Sequence, residues 1–132
     1  MFVQVETERS SLYERVGGQP FFFSLVDAFY AGVEADPLLR PLYPRDLAGP
    51  RRRLALFLIQ YWGGPDTYSQ ERGHPRLRMR HFRFPIGQAQ RSAWLSHMRA
   101  AVQASGASAR DAAMLMDYFE SAATSLLNRP EP

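Results

Sequence analysis

Apolar positions recur along this chain with the period of a helix, and glycine and proline mark where each period stops. "SLYERVGG" opens with Ser11 and Glu14 in capping-box spacing and ends on the pair Gly17-Gly18. Pro20 suits the first turn of a second helix, on which Phe22, Leu25, Val26, Phe29, Tyr30 and Val33 fall on one apolar face. The next piece, "DPLLRPLYP", is boxed in by prolines and has room for a turn or two. Pro50 starts a helix with Leu54, Phe57, Leu58 and Tyr61 on one face, running to Gly63-Gly64. Residues 65–74 hold neither period and read as a loop, long enough to suggest a function. Pro75 opens a brief helix to about Phe82, and Pro85 a longer one that closes near Gly106. On the longer helix Trp94, Leu95, Met98, Ala101 and Val102 keep register. Ser108 with Asp111 caps a last helix lined by Leu115, Phe119, Ala122, Ala123 and Leu126, after which "NRPEP" should fray. No segment alternates as a half-buried strand does, so the pattern predicts an all-α fold.

Composition narrows the chemistry. With 132 residues, 45% of them hydrophobic, the chain is one domain able to bury a core. The absence of cysteine excludes disulfides, zinc ribbons, iron–sulfur clusters and thiolate nucleophiles. All 16 basic residues are arginine, which excludes Schiff-base lysine chemistry and the phosphate-loop lysine. Arginine remains suited to gripping carboxylate or phosphate through two parallel bonds. Residues 1–10 are charged and broken in pattern, unlike a signal peptide, and no apolar run is long enough to cross a bilayer. A cytoplasmic protein without a stable membrane anchor is expected. The net charge of +3 is too mild to demand nucleic acid. The clusters Arg51–Arg53 and Arg72, Arg76, Arg78, Arg80 and Arg83 leave a nucleic-acid-binding helical module as a rival class, disfavoured because no recognition motif accompanies them.

Three histidines invite a functional reading. His97 lies mid-helix and is expected to be a packing or surface residue. His74 precedes Pro75, which pushes it out of helix and toward a turn or cap role. His81 differs. On a helix begun at Pro75 it shares a face with Leu77, and with Phe84 if the helix persists, while Arg76, Arg80 and Arg83 form another stripe. An imidazole on an apolar face with guanidiniums beside it suits a cofactor that is apolar in its middle and anionic at its edge, as haem is. Tyr30, Tyr43 and Trp94 are amphipathic aromatics on segments otherwise given to core; each alone is expected to point its polar tip to water, whereas three such donors meeting in one cavity would make a polar spot in an apolar shell. The chain holds no Gly-x-Ser-x-Gly, His-Glu-x-x-His, phosphate-loop or dinucleotide fingerprint, and its carboxylates are scattered.

Several separated pieces resemble a group II truncated haemoglobin, the O-type globin of bacteria. "YWGGP", "YS" and "RGHPRLRMRH" follow one another in that family's order and spacing, supported by "LYERVGG", "AFYAGV", "LYP", "DLAG" and "AWLSHM". The resemblance implies a truncated globin domain over 11–128, with a flexible extension over 1–10 and a frayed tail over 129–132. It implies a two-over-two helical sandwich around one non-covalent haem b. By the same resemblance His81 ligates the iron, Arg80 and Arg53 meet the propionates, and Leu54 and Phe57 wall the distal side. Tyr61, Leu77, Phe84 and Trp94 complete the cofactor contacts, and Tyr30, Tyr43 and Trp94 hold the bound ligand. Pro50 stands where many globins place a distal histidine. The implied function is reversible binding of O2, with NO and CO, at a five-coordinate iron, with release slowed by distal hydrogen bonds. An enzyme for NO dioxygenation or peroxidase-type chemistry is the alternative, and it needs an electron donor or reductase from outside the chain. No nucleic-acid partner is implied, and a homodimer is left open.

Overall fold

The computed structural model describes residues 10–129, so the expected N-terminal extension lies outside the described residues except for Ser10. Among the described residues the chain forms seven α-helices, one 3-10 turn and no strand. In order these are α1 (Leu12–Arg15), α2 (Gln19–Glu34), the 3-10 turn (Arg40–Leu42), α3 (Ala48–Tyr61), α4 (Thr67–Arg72), α5 (Leu77–His81), α6 (Gln88–Ala104) and α7 (Ala109–Ser125). The packed pairs are α2 with α3, α6 with α7, α2 with α6, and α3 with the short α4. The pair α2/α3 therefore lies over the pair α6/α7, the two-over-two arrangement that the family resemblance implies.

Burial drives the packing of the long helices. On α2 the six residues picked out by the helical period, Phe22, Leu25, Val26, Phe29, Tyr30 and Val33, are all buried. Leu95, Met98, Ala101 and Val102 on α6 and Leu115 and Phe119 on α7 complete the core. Each such large side chain contributes roughly 1.5–3 kcal/mol by leaving water. The caps follow the sequence signals: Ser11 Oγ accepts the Glu14 N–H at 3.1 Å, and Ser108 Oγ accepts the Asp111 N–H at 3.1 Å. Gly63 has φ 109°, and a Cβ there would meet Ser11 Cβ at 2.6 Å, so only glycine lets the end of α3 pass beneath α1.

Polar contacts then fix the spacing. A Cβ on Gly32 would stand 2.4 Å from His97 Nδ1, so the bare backbone of α2 admits the His97 ring from α6. His97 Nε2 bonds Asp36 Oδ2 at 2.7 Å, just past the end of α2. His97 is thus a packing residue as expected, with a hydrogen-bond partner that its neighbours in sequence do not reveal. That hydrogen bond, with a further one from the Leu38 N–H, holds the Asp36 carboxyl below its ordinary value. Asp111, buried at the start of α7, accepts Arg15 Nε at 3.1 Å and Nη2 at 2.9 Å.

Three expectations need correction. The stretch 65–74 is not a loop throughout, since it contains α4. One apolar residue in six leaves no period to detect, yet Tyr68 is buried against Phe57 at 5.6 Å between ring centres. The Gln60 amide seats the helix, accepting the Ser69 N–H at 3.0 Å and donating to Ser69 Oγ at 2.7 Å. On α3, which starts at Ala48, the buried residues are Pro50, Ala55, Leu56, Leu58 and Ile59. Of the predicted face only Leu58 is buried; Leu54 and Phe57 are half-buried and Tyr61 is 53% exposed. The helix is apolar over a wide arc, and packing takes the side away from the Leu54–Phe57–Tyr61 stripe. The tail does not begin to fray at Asn128, which is bonded to the Phe84–Ile86 turn.

Candidate functional site

The segment bearing His81 is built from backbone constraints. Gly73 and Pro75 bracket His74, whose Nδ1 accepts the Arg76 N–H at 3.1 Å in the turn role expected of it. Arg76 takes φ 48° and ψ 50°, left-handed and uncommon for a residue with a side chain, and α5 begins directly after it. Arg80 reaches back with Nε to the Pro75 carbonyl at 2.7 Å and with Nη2 to the Arg72 carbonyl at 3.1 Å. These bonds hold α5 to the end of α4.

His81 is oriented by its own helix. Its Nδ1 lies 2.7 Å from the Leu77 carbonyl one turn earlier. A carbonyl only accepts, so a proton sits on Nδ1, and of the two neutral tautomers this is the one with the free electron pair on Nε2. That is the tautomer and the orienting bond expected of a metal-binding imidazole. The helix ends at His81, so Phe84 does not share its face by helical geometry as anticipated. A turn brings it back instead, with the Phe84 N–H on the His81 carbonyl at 3.0 Å and ring centres 6.5 Å apart. Apolar side chains stay open nearby, Met79 at 61% and Phe82 at 76% exposure.

The three amphipathic aromatics do converge. Tyr30 on α2 meets Tyr43, just after the 3-10 turn, edge-on at 5.5 Å. Phe29 carries Trp94 of α6 at 5.1 Å, and Trp94 also meets Phe119 at 5.7 Å. The Trp94 indole lies close enough to the Tyr43 hydroxyl to ease its ionisation. Burial outweighs this and pushes the Tyr43 hydroxyl up to about 12, and it raises Tyr30 far above its ordinary value with help from Tyr43. Both therefore stay neutral donors at any physiological pH. Arg53, on the exposed side of α3, folds over Gly49 and sits near enough to Tyr30 to ease its ionisation slightly. Among the described residues no hydrogen bond or ring contact joins His81 to this cluster.

Charge is segregated around His81. From Arg72 to Arg110 the chain carries eight arginines and no carboxylate. Arg72, Arg76, Arg78 and Arg83 are exposed, and no ion pair engages them among the described residues. Among the described residues one surface groove of about 520 Å³ runs along Arg91, Arg99 and Glu120, and a smaller one lies beside Phe21 and Ala101. Neither includes a sequence-predicted site residue, and the ion pair of Arg99 with Glu120 already uses the charge of the larger one.

Against known families, residues 11–128 match the bacterial-like globins. The group 2 truncated hemoglobin YjbI of Bacillus subtilis is 40% identical over 119 residues, covering 90% of this chain and 89% of the relative. The chain belongs to the bacterial-like globins, among the group II truncated haemoglobins. Solved structures agree. A thermostable hemoglobin from Thermobifida fusca superposes with a TM-score of 0.90 at 52% identity, covering 92% of this chain and all of the other. A truncated oxygen-avid haemoglobin from B. subtilis gives 0.86 at 39% identity, covering 90% of this chain and all of the other.

Two features of this globin have no signal in the sequence pattern. Asn128, beyond the end of α7, donates through Nδ2 to the carbonyls of His81 at 3.2 Å and Phe84 at 2.8 Å, while its Oδ1 accepts the Ile86 N–H at 2.9 Å. Its partners lie more than forty residues away, where no local rule reaches. Tyr118 of α7 stacks on the open Tyr61 ring with centres 4.1 Å apart, and burial with Tyr61 beside it raises its hydroxyl to about 12.

Proposed function

We propose that the chain holds one non-covalent haem b with His81 as axial ligand and binds O2, NO and CO on the Tyr30–Tyr43–Trp94 side. The observation that carries this reading is the His81 ring, whose Nδ1 is bonded to Leu77 and whose Nε2 is left free. The surroundings fit the group: an apolar stripe of Leu54, Phe57 and Tyr61 on α3 stays partly open, and the acid-free arginine segment suits an anionic edge. Haem would supply an iron able to take an imidazole and a diatomic ligand, with His81 as the residue that would hold it. Leu77 and Phe84 would lie against the apolar face beside His81. Arg53, and Arg80 through the Nη1 it has not committed to a carbonyl, would meet the carboxylates.

The protein's part is to orient and to donate. Leu77 fixes the imidazole so that its electron pair needs no reorganisation. Tyr43 and Trp94 would offer two donors to a ligand that carries partial negative charge. Each bond to such an acceptor is worth about 1.5–3 kcal/mol. Two of them slow ligand escape by roughly two to four decades, at about 1.4 kcal/mol per decade. Slow escape suits retention, or redox chemistry with electrons from an external donor, better than delivery. The B. subtilis haemoglobin described as oxygen-avid has the same fold, and this donor set would give the same behaviour here.

The test is spectroscopic. Purified protein titrated with haemin should develop a one-to-one Soret band, and on reduction a five-coordinate spectrum. His81→Ala should lose the five-coordinate signature and regain it with added imidazole. A wild type that stays colourless, or an alanine variant with an unchanged spectrum, ends this assignment.

A further inference from the structure

We infer that Asn128 is a positioning residue for His81, a brace by which the C-terminal end of α7 sets the orientation of the axial imidazole. The inference rests on His81 being the haem ligand. It adds a residue to which neither the sequence pattern nor the family resemblance gives a role.

The helix that carries His81 is poorly supported by packing. It has five residues, none of them buried, and it is not among the extensively packed helix pairs. Its last carbonyls have no partner within the helix, as at every helix end. Pro85 then removes one N–H from the segment that should restore order, and regular structure resumes only at Gln88. Residues 82–87 are therefore a linker whose position must come from elsewhere.

Asn128 supplies it. Its amide donates to two carbonyls, His81 and Phe84, and accepts one N–H, that of Ile86. Two carbonyls on one side and one N–H on the other fix which end of the amide is nitrogen. The Asn128 N–H also meets the Ile86 carbonyl at 2.9 Å, joined by the Arg129 N–H at 3.2 Å. The backbone of His81 is thus held from below by Asn128, while its ring is held from the side by Leu77. A carboxylate at this position would keep the acceptor and lose both donors, and an apolar side chain of similar size would lose all three bonds.

The experiment compares haem-loaded wild type with Asn128→Asp and Asn128→Leu. Three readouts are taken: hydrogen exchange at the Ile86 amide, the iron–histidine stretching band of the ferrous protein by resonance Raman, and haem transfer to excess apomyoglobin. The Leu variant should lose Ile86 protection, whereas the Asp variant should keep it. Both should shift or broaden the iron–histidine band and release haem roughly tenfold faster, a factor of about 1.4 kcal/mol. Variants that lose thermal stability while the band and the haem-loss rate stay at wild-type values overturn the proposal. Should neither variant fold, exchange of the Asn128 side-chain amide protons in the wild type decides: slow exchange supports the brace, and exchange at the rate of an open loop overturns it. Failure of the haem assignment would show separately, as an unchanged spectrum in His81→Ala with Ile86 protection intact.

Discussion

The helices α2 and α6 and the stretch from α4 to the start of α6 are built on opposite principles. The first two meet through fully buried Phe29, Val33 and Met98, with one polar latch, His97 to Asp36, at the edge. The second has two short helices, one buried side chain in Tyr68, and a left-handed arginine; Arg80 ties it internally, and hydrogen bonds from Gln60 and Asn128 tie it to its surroundings. Apolar burial gives a large, undirected stabilisation that resists displacement. A lattice of single bonds gives a small stabilisation with high positional specificity. In this globin Tyr30 and Trp94 stand on the first kind of structure and His81 on the second. On the proposed reading, the aromatic donors rest on buried packing and the axial histidine on a few directed bonds.

Breaking the packed half should have the largest effect. Phe29→Ala removes a fully buried ring that carries both Tyr30 and Trp94, and should cost about 3–5 kcal/mol in denaturant unfolding of the haem-loaded protein. A loss under 1 kcal/mol would mean that the core is not what supports the donors. Trp94→Phe, in the same half, should spare the fold and strike the function. Loss of one donor should speed O2 release roughly tenfold to a hundredfold in stopped flow, from about 1.5–3 kcal/mol at 1.4 per decade. An unchanged rate would transfer the donor role to the tyrosines alone. The smallest effect belongs to the latch. Asp36 has a lowered folded-state value, so its contribution is present above its ordinary 3.8 and is lost as pH falls below that. Asp36→Asn should therefore lower the melting temperature slightly at neutral pH, and the gap from wild type should close in acid. A gap that widens in acid would contradict this sign.

What was readable in the sequence divides along the same line. The buried face of α2 follows residue for residue from its apolar period, because side-chain burial is what both the pattern and the helix express. The caps at Ser11 and Ser108 were legible too, since their bonds close within three residues. The α4 helix was not, because six polar-rich residues carry no period and the Gln60 amide that seats them belongs to another helix. On α3 the apolar arc is wider than any one partner covers, so the sequence showed an apolar helix without showing which stripe stays open. At the site, the turn role of His74 was anticipated from residue chemistry, whereas the gathering of Tyr30, Tyr43 and Trp94 was implied by the family resemblance and left open by the residues themselves. The brace at Asn128 and the partner of His97 were not, because they join residues far apart in sequence through side chains that have many other uses.

The contact at Gly32 carries a consequence for how this protein can vary. At that crossing the His97 ring of α6 lies against the bare backbone of α2, where a methyl group on Gly32 would be. Tyr30 stands two residues before this point on one helix and Trp94 three residues before His97 on the other. The smallest heritable change in side-chain volume would thus act as a wedge on the spacing of the two groups without altering either. The gap between them is a dimension set by missing atoms, and it has room to vary in one direction only.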